Sequence, residues 1–144
     1  MKPVNELKMI IDSKSINESF SRVAIASFCA CLDPSVEELT DIRTAVSEAV
    51  TNAIVHGYRE KMGKIYITVS ILEGSIIKIR IRDKGVGIED IKKAMEPLYT
   101  TAGDERAGLG FAVMESFTDK VKVVSKVGKG TTVTLIKSVK GKNA

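Results

Sequence analysis

Two neighbouring runs of alternating apolar and polar residues place the strongest constraint on how this chain of 144 residues can fold. They cover residues 64–72 and 76–82, and Gly74 lies in the three-residue link between them. Because side chains alternate between the two faces of a β-strand, each run has one apolar face. A short link that contains glycine joins such strands as an antiparallel hairpin. The chain must therefore supply other elements to cover the apolar face of this hairpin.

Further strands are predicted near both ends of the chain. Residues 7–11 predict a first strand, and residues 121–125 and 131–136 predict a second hairpin that turns on residues 128–130. The order of strands and helices predicts an α+β fold, a two-layer sandwich of a mixed, mostly antiparallel sheet with helices on one face. No repeat or linker divides the chain, so we expect a single domain over residues 1–144.

Helical segments are predicted between these strands. They span about residues 16–32, 34–57, 89–95 and 111–117. Ser15 to Glu18 has the spacing of a capping box for the first helix. Asp33 and Pro34 predict the N-cap and first turn of the second helix, which Gly57 ends.

The composition fits a soluble domain that needs neither a disulfide nor a metal ion to fold: 44% of residues are hydrophobic and 28% are charged. No run approaches the roughly 18 to 20 apolar residues of a membrane helix, and no apolar signal segment opens the sequence. We therefore expect a cytoplasmic protein in which Cys29 and Cys31 are buried free thiols. The net charge of +4 is too small to indicate direct binding of nucleic acid.

A stripe of polar side chains marks the second predicted helix. Glu48, Asn52 and His56 stand four residues apart, so they share one face of a helix that is otherwise mostly apolar. A buried helix needs a polar partner for such a stripe, and a carboxylate with an amide indicates a metal ion and its anionic ligand. His56 lies beside Gly57 at the helix end, which favours an interaction with the last carbonyl groups over a phosphoacceptor role.

Three glycine clusters follow this helix. In the first, Asp83 ends a predicted strand ahead of Gly85 and Gly87, and its carboxylate could accept a hydrogen bond from an amine such as that of adenine. In the second, Gly108 and Gly110 lead into a predicted helix whose free N–H groups suit a phosphate. The third cluster, at residues 128–130, is explained equally well as a plain hairpin turn.

Taken in order, the polar stripe and the three clusters resemble the N, G1, G2 and G3 boxes of the ATPase superfamily that contains gyrase, Hsp90, histidine kinases and MutL. The resemblance covers about residues 39–136. It implies the Bergerat ATP-binding fold, in which a lid closes over ATP. In this chain the lid would be residues 99–107.

Nearly the whole chain is similar to the anti-sigma F factors of endospore-forming bacteria. The similarity is carried by Asn17-Glu-Ser-Phe-Ser-Arg-Val-Ala, Val46-Ser-Glu-Ala-Val-Thr-Asn-Ala and Pro97-Leu-Tyr-Thr-Thr. That family implies a homodimeric serine kinase that holds a sporulation sigma factor inactive. It also implies that Mg²⁺ and ATP are used to phosphorylate a serine of a small anti-anti-sigma protein.

The resemblance implies roles for individual residues. Asn52 matches the magnesium ligand, and Glu48 matches the general base that accepts the proton of the partner's serine. Asp83 matches the residue that binds the adenine amino group. The other implied nucleotide-binding positions are Gly85, Gly87, Thr101, Gly108, Leu109, Gly110 and Thr131. Glu18 and Arg22 match positions that contact protein partners, so two partners would compete for one surface.

Other functions stay open at this point. One is an anti-sigma kinase of the general stress response. Another is a nucleotide-dependent binding switch that transfers no phosphate. A third is the catalytic domain of a histidine kinase, which would need a phosphohistidine on another chain. The first predicted strand could also present an open edge to a second copy of the chain.

Overall fold

The sheet of the computed structural model has five strands in the order β1-β2-β3-β5-β4. The structure describes residues 2–59, 61–96 and 105–141. The strands are β1 (Asn5–Asp12), β2 (Lys64–Leu72), β3 (Ile76–Asp83), β4 (Lys120–Lys126) and β5 (Gly130–Ser138). All four pairings are antiparallel. The predicted mixed sheet is not observed among these strands, because β5 lies between β3 and β4 and runs opposite to both.

Helices cover one face of this sheet. They are α1 (Ile16–Cys29), α2 (Val36–Asn52), α3 (Ile91–Ala94) and α4 (Glu105–Phe117). A short 3₁₀ turn, Ala30–Leu32, follows α1, and a π turn, Ala53–Gly57, follows α2. The α+β two-layer arrangement predicted from the sequence is confirmed. No helix in the described part of the chain is both long and apolar enough to span a bilayer.

The core lies between the helices and the apolar face of the sheet. On the sheet side, the inward-facing residues of the β2–β3 hairpin line the core, and Ile67, Val69 and Ile79 are almost fully buried. On the helix side, Val46 of α2 and Phe111 of α4 are completely buried. Burial of each such side chain contributes roughly 1.5–3 kcal/mol. This packing holds α2 and α4 side by side over the sheet.

Helix ends differ from the sequence predictions. Ser15 makes no side-chain cap for α1, and Ser35, not Asp33, caps α2 through a capping box with Glu38. Ser35 takes this place because its extended backbone lets its hydroxyl accept the Glu38 N–H. Helix α4 begins at Glu105, six residues before the predicted start.

Only one of the two cysteines is buried. Cys29 is inaccessible, and burial raises the pKa of its thiol to about 12, so it is unreactive. Cys31 is exposed, contrary to the prediction, because it lies on the 3₁₀ turn beyond the packed part of α1. Both thiols are free.

Glu38 ties the C-terminal segment to the start of α2. Its carboxylate accepts hydrogen bonds from the N–H groups of Lys140 at 2.7 Å, Gly141 at 3.0 Å and Ser35 at 3.0 Å. Partial burial opposes the charge, but these backbone donors outweigh it and lower the pKa of Glu38 to about 2. The segment after β5 is thus anchored on α2.

We expect Glu38→Gln to lower the free energy of unfolding by about 1–2 kcal/mol at pH 7, since solvent screens part of the interaction. The folded-state pKa is depressed, so this stabilisation is present above pH 4.5 and is lost as the pH falls towards 2. Urea denaturation at pH 7 and pH 3 measures the difference. Glu37→Gln, at an exposed position of the same helical turn, is the control. Equal stability of the two variants at pH 7 would contradict the prediction.

Candidate functional site

Asp83, at the end of β3, is a carboxylate held inside the protein. It is only 5% exposed. Burial raises the pKa of its carboxyl group, although hydrogen bonds from the Gly85 and Thr131 N–H groups partly offset this effect. The Gly85 nitrogen lies 2.9 Å from Oδ1. A buried carboxylate with spare acceptor capacity can bind a polar group of a ligand.

The π turn after α2 brings Gly57 against Asp83. A Cβ at Gly57 would lie 2.7 Å from the Asp83 carboxyl carbon, so only glycine leaves the carboxylate in place. The Gly57 carbonyl accepts a hydrogen bond of 2.9 Å from the Val86 N–H. A Cβ at Gly85 would lie 2.0 Å from that same carbonyl oxygen. The end of the α2 segment and the first glycine cluster therefore form one packed unit.

The β4–β5 hairpin closes the other side of this unit. The Gly128 N–H donates a 2.8 Å hydrogen bond to the Val86 carbonyl. Gly130 has a φ of +117°, and a Cβ there would lie 2.1 Å from the Asp83 carbonyl oxygen. The third cluster is therefore more than a plain turn at Gly130, whereas Gly128 has no atom within 4 Å of its Cβ position.

Thr131 and Gly87 complete this end of the site. Thr131 is 8% exposed and pairs with Asp83 across the sheet. Gly87 has a φ of +77°, and a Cβ would lie 2.2 Å from the Lys126 carbonyl oxygen. Thr131 thus lies against Asp83, whereas Gly87 packs against the start of the β4–β5 turn.

Glu48 and Asn52 meet α4 at Gly110. A Cβ built on Gly110 would lie 3.2 Å from Glu48 Oε2 and 3.6 Å from Asn52 Oδ1. The two oxygens therefore face the same small volume, next to the α4 backbone. Both residues are half-buried, so a ligand can reach them from one side. A carboxylate and an amide oxygen in this arrangement suit a hard cation or the proton of a nucleophile.

The second glycine cluster lies within α4, not before it. Gly108 is the fourth residue of α4, the position whose N–H is the first to bond within a helix. Gly110 lies two residues further along, and it acts by leaving room for Glu48 and Asn52. Leu109 is 53% exposed. Thr101 and the predicted lid residues 99–104 lie outside the described residues.

His56 lies in the π turn and is half-buried. It lies beyond the last α-helical turn, where the i→i+5 hydrogen bond from the Tyr58 N–H to the Ala53 carbonyl widens the backbone and changes the direction of side chains after Asn52. The structure does not place it with the two oxygens at Gly110.

Two contributors to the site were missed in the sequence. The Tyr58 hydroxyl donates to the Lys64 carbonyl and accepts a 2.8 Å hydrogen bond from the Lys84 N–H, which links the π turn to the segment after Asp83. Ser125 accepts a 2.7 Å hydrogen bond from the Ile88 N–H. A signal for Ser125 was available, because it follows Val121 and Val123 on the core-facing positions of β4.

Arg22 and Glu18 lie away from this site on α1 and pair with each other at 3.2 Å. Arg22 also lines a shallow depression between α1 and α2, together with Thr40, Arg43, Thr44 and Ser47. The two predicted partner-contact residues are thus together, on a separate surface.

Comparison with solved structures supports the fold. The RsbU and RsbW domains of a Mycobacterium tuberculosis protein match 95% of this chain and 32% of that chain, with a TM-score of 0.68 and 20% identity. The histidine kinase domain of a blue-light activated kinase from Erythrobacter litoralis covers 85% of this chain and 61% of its own, with a TM-score of 0.57 and 21% identity.

Sequence comparison is more specific. A family model described as a histidine kinase-like ATPase domain matches residues 17–137. The anti-sigma F factor of Anoxybacillus flavithermus is 53% identical over 135 residues, which is 92% of each chain. That of Clostridium acetobutylicum is 52% identical over 134 residues, 92% of this chain and 93% of its own. The chain belongs to the histidine kinase-like ATPase domains and, among them, to the anti-sigma F factor family.

Proposed function

We propose that this protein binds a sporulation sigma factor and holds it inactive, and that it phosphorylates a serine of a small anti-anti-sigma protein with Mg²⁺ and ATP. The observation that carries the proposal is that Glu48 Oε2 and Asn52 Oδ1 meet at Gly110, while Gly57, at the end of the same helical segment, packs against the Asp83 carboxylate. Asp83 thus offers a hydrogen-bond acceptor for the adenine ring, and Glu48 and Asn52 separately offer oxygens for phosphoryl transfer.

ATP would lie between these two ends. The Asp83 carboxylate would accept a hydrogen bond from the adenine amino group, and Gly85, Gly87 and Thr131 would surround the base. At the other end, the N–H groups at the start of α4, ahead of Gly108, would face the phosphates.

Magnesium fits the donor set at the phosphate end. The described residues contain no group of three or more His, Cys, Asp or Glu side chains that could hold a metal ion alone. Magnesium commonly takes few protein ligands and completes its shell with water and substrate phosphates. Asn52 would supply an amide oxygen to it, and the bound ion would neutralise charge on the phosphates.

The serine of the partner would then attack the γ-phosphorus. A bond forms between the serine oxygen and phosphorus while the bond to the bridging β–γ oxygen breaks, and ADP leaves. The serine proton passes to Glu48 Oε2 as the new bond forms. Glu48 is half-buried, so its carboxylate remains accessible to a docked side chain.

Helix α1 has the properties of a docking surface. Ile16, Phe20 and Val23 are exposed by 75%, 57% and 59%, and their spacing of four and three residues places them along one face. Arg22 adds a cation beside this apolar stripe, at the depression that it lines together with Ser47. Exposed apolar side chains beside a cation are suited to a protein partner. Competition between the sigma factor and the anti-anti-sigma protein for this surface would couple sigma release to kinase activity.

A homodimer is part of the proposal. Strand β1 is at one edge of the sheet and pairs on one side only, with β2, among the described strands. Val4 and Ile10, each 62% exposed, add apolar surface at this edge. An unpaired edge with exposed apolar residues is suited to pairing with a second copy.

The test is incubation of the protein with labelled ATP, Mg²⁺ and a lysate of sporulating cells. We expect one small protein to be labelled on serine, with a bond that is stable in acid. An acid-labile product would indicate phosphohistidine and a histidine kinase domain. Labelling of no protein, with ATP binding intact, would favour a non-transferring switch and overturn the kinase proposal. Labelling of a stress-response protein would instead indicate an anti-sigma kinase of the general stress response.

The raised pKa of Asp83 makes ATP affinity dependent on pH. Because burial raises this pKa, protonation begins at a higher pH than for an exposed aspartate, whose pKa is about 3.9. Protonation removes the anionic acceptor, so we expect ATP affinity to fall as the pH is lowered towards this range. Calorimetric titration from pH 8 to pH 5 measures it, and Asp83→Asn should bind ATP weakly with a flatter profile. An equally steep profile in Asp83→Asn would assign the effect to another group.

A further inference from the structure

The face of the sheet that the described helices leave uncovered concentrates positive charge. Alternate strand residues point to this face, since the residues between them pack towards the helices. Two of its cations, Lys8 and Lys64, pair with Glu6 and Asp12. Its other charged strand residues form no ion pair with a described carboxylate, and all are cations: Lys78, Arg80, Arg82, Lys120, Lys122 and Lys126. Their charge exceeds the net charge of +4 of the whole chain, so the distribution of charge is strongly asymmetric.

The strand register spaces these cations evenly. Lys78, Arg80 and Arg82 occupy every second position of the central strand β3, so their Cα atoms are about 7 Å apart along it. Arg80 pairs with Thr134 of β5, which pairs in turn with Lys122 of β4. Adjacent strands are about 4.8 Å apart, so the Cα atoms of Arg80 and Lys122 are about 10 Å apart, with a threonine between them. The face thus offers cations at regular intervals in two directions.

Tyr66 of β2 adds an aromatic ring to this face. Lys84 Nζ lies 4.9 Å from the centre of the ring, and the guanidinium carbon of Arg82 lies 6.0 Å from it. A cation over an aromatic ring is held by the negative face of the ring. Proteins that bind single-stranded nucleic acid combine such rings, on which bases stack, with cations that follow the phosphates.

We propose that this face binds single-stranded nucleic acid through its sugar–phosphate backbone, with one base stacked on Tyr66. Lysine, arginine, threonine and serine are side chains that contact phosphates and sugars, and Thr68 and Ser70 line a depression on this face with Lys78 and Arg80. The net charge of the chain gives no indication of this function, because binding depends on how many cations face the ligand together.

Other occupants match this face less closely. Protein interfaces are depleted in lysine and serine and have an apolar centre, whereas the exposed apolar strand residues here, Ile10 and Val124, are on the two edge strands. A second copy of the chain stacked on this face would bring like charges together. A five-stranded sheet is too wide for the major groove of a duplex, which admits a helix or a two-stranded ribbon.

The test is a titration of a fluorescently labelled oligothymidylate of about 20 nucleotides, followed by anisotropy, in salt from about 50 to 200 mM. Saturating ADP is present to occupy the proposed nucleotide site, and failure of ADP to bind leaves this measurement intact. The double variant Lys120→Gln/Lys122→Gln is compared with Lys92→Gln/Lys93→Gln, which removes the same charge from exposed positions of α3 in the helical layer.

We expect the β4 variant to bind the oligonucleotide about tenfold more weakly at low salt. Its plot of log affinity against log salt should be shallower by about 1.4, since each lost phosphate contact removes about 0.7 from the slope for a single strand. The α3 variant should match the wild type. Tyr66→Leu should also weaken binding about tenfold, but with an unchanged slope, because it removes stacking and no charge.

Absence of binding by the wild type at low salt would overturn the proposal, and so would equal losses in the β4 and α3 variants. Tighter binding to a duplex of the same length would contradict the preference for a single strand. Binding to polyglutamate, or to vesicles that contain phosphatidylserine, without binding to the oligonucleotide would assign the face to an acidic protein or to a membrane surface instead.

Discussion

Replacement of Glu48 by glutamine should lower the rate of phosphoryl transfer by about 10² to 10⁴ while ATP binds with nearly unchanged affinity. Glutamine keeps the size of the side chain but cannot accept the serine proton at neutral pH. Glu48 Oε2 faces Gly110 and shares that volume with Asn52 Oδ1, where the phosphates are proposed to bind. The substitution therefore removes the base and leaves the Asp83 end intact.

Single-turnover transfer to the anti-anti-sigma protein is the appropriate measurement, because it separates the chemical step from product release. Glu37→Gln, on an exposed position of the same helix, controls for the loss of one negative charge on α2. A Glu48→Gln protein that keeps more than half of the wild-type rate would rule out the role of general base. A loss of ATP affinity in parallel with the rate would instead show that Glu48 positions the nucleotide.

The strands could be predicted closely from the sequence because their signal is local. Alternation marks β2 from its first residue to its last, and β3 extends only one residue beyond the prediction. Burial imposes this period directly, since one face of each strand packs against helices. The two-layer fold follows from the same apolar faces.

Helix boundaries could not be predicted as well, because several residues compete to begin a helix. Ser15, Asp33 and Ser35 all have suitable side chains, yet only Ser35 has an extended backbone that lets its hydroxyl reach the N3 amide. Asp33 instead has a positive φ of 52° and ends the 3₁₀ turn. Local spacing does not distinguish these outcomes, which depend on the path of the chain between two packed helices.

The candidate site, like the fold, depends partly on local sequence and partly on contacts between distant segments. The order of motifs was sufficient to select Asn52, Asp83 and Gly110 by resemblance. It could not show why glycine is needed at Gly57 or Gly130, because in each case the obstacle is the Asp83 residue, far away in sequence. Such requirements depend on contacts between segments, and only the folded structure supplies them.

Substitution of Gly85 by alanine should be one of the most damaging single methyl additions around Asp83. A Cβ at this position would lie 2.0 Å from the carbonyl oxygen and 2.3 Å from the carbonyl carbon of Gly57. These are backbone atoms of the π turn, which cannot rotate away as a side chain could. We expect a loss of about 3 kcal/mol or more in the free energy of unfolding, together with loss of ATP binding, because the displaced π turn also packs on the Asp83 carboxylate.

Gly128→Ala is the matched control for this prediction. Gly128 has a positive φ of +79°, but no atom lies within 4 Å of its Cβ position, so alanine there should cost only the backbone strain of about 1–2 kcal/mol. Urea denaturation and ATP titration of both variants give the comparison. Equal destabilisation would mean that backbone conformation, and not the approach of Gly85 to Gly57, determines the need for glycine in this cleft. A larger loss in Gly85→Ala would show that the contact between the π turn and the Asp83 segment maintains the nucleotide site.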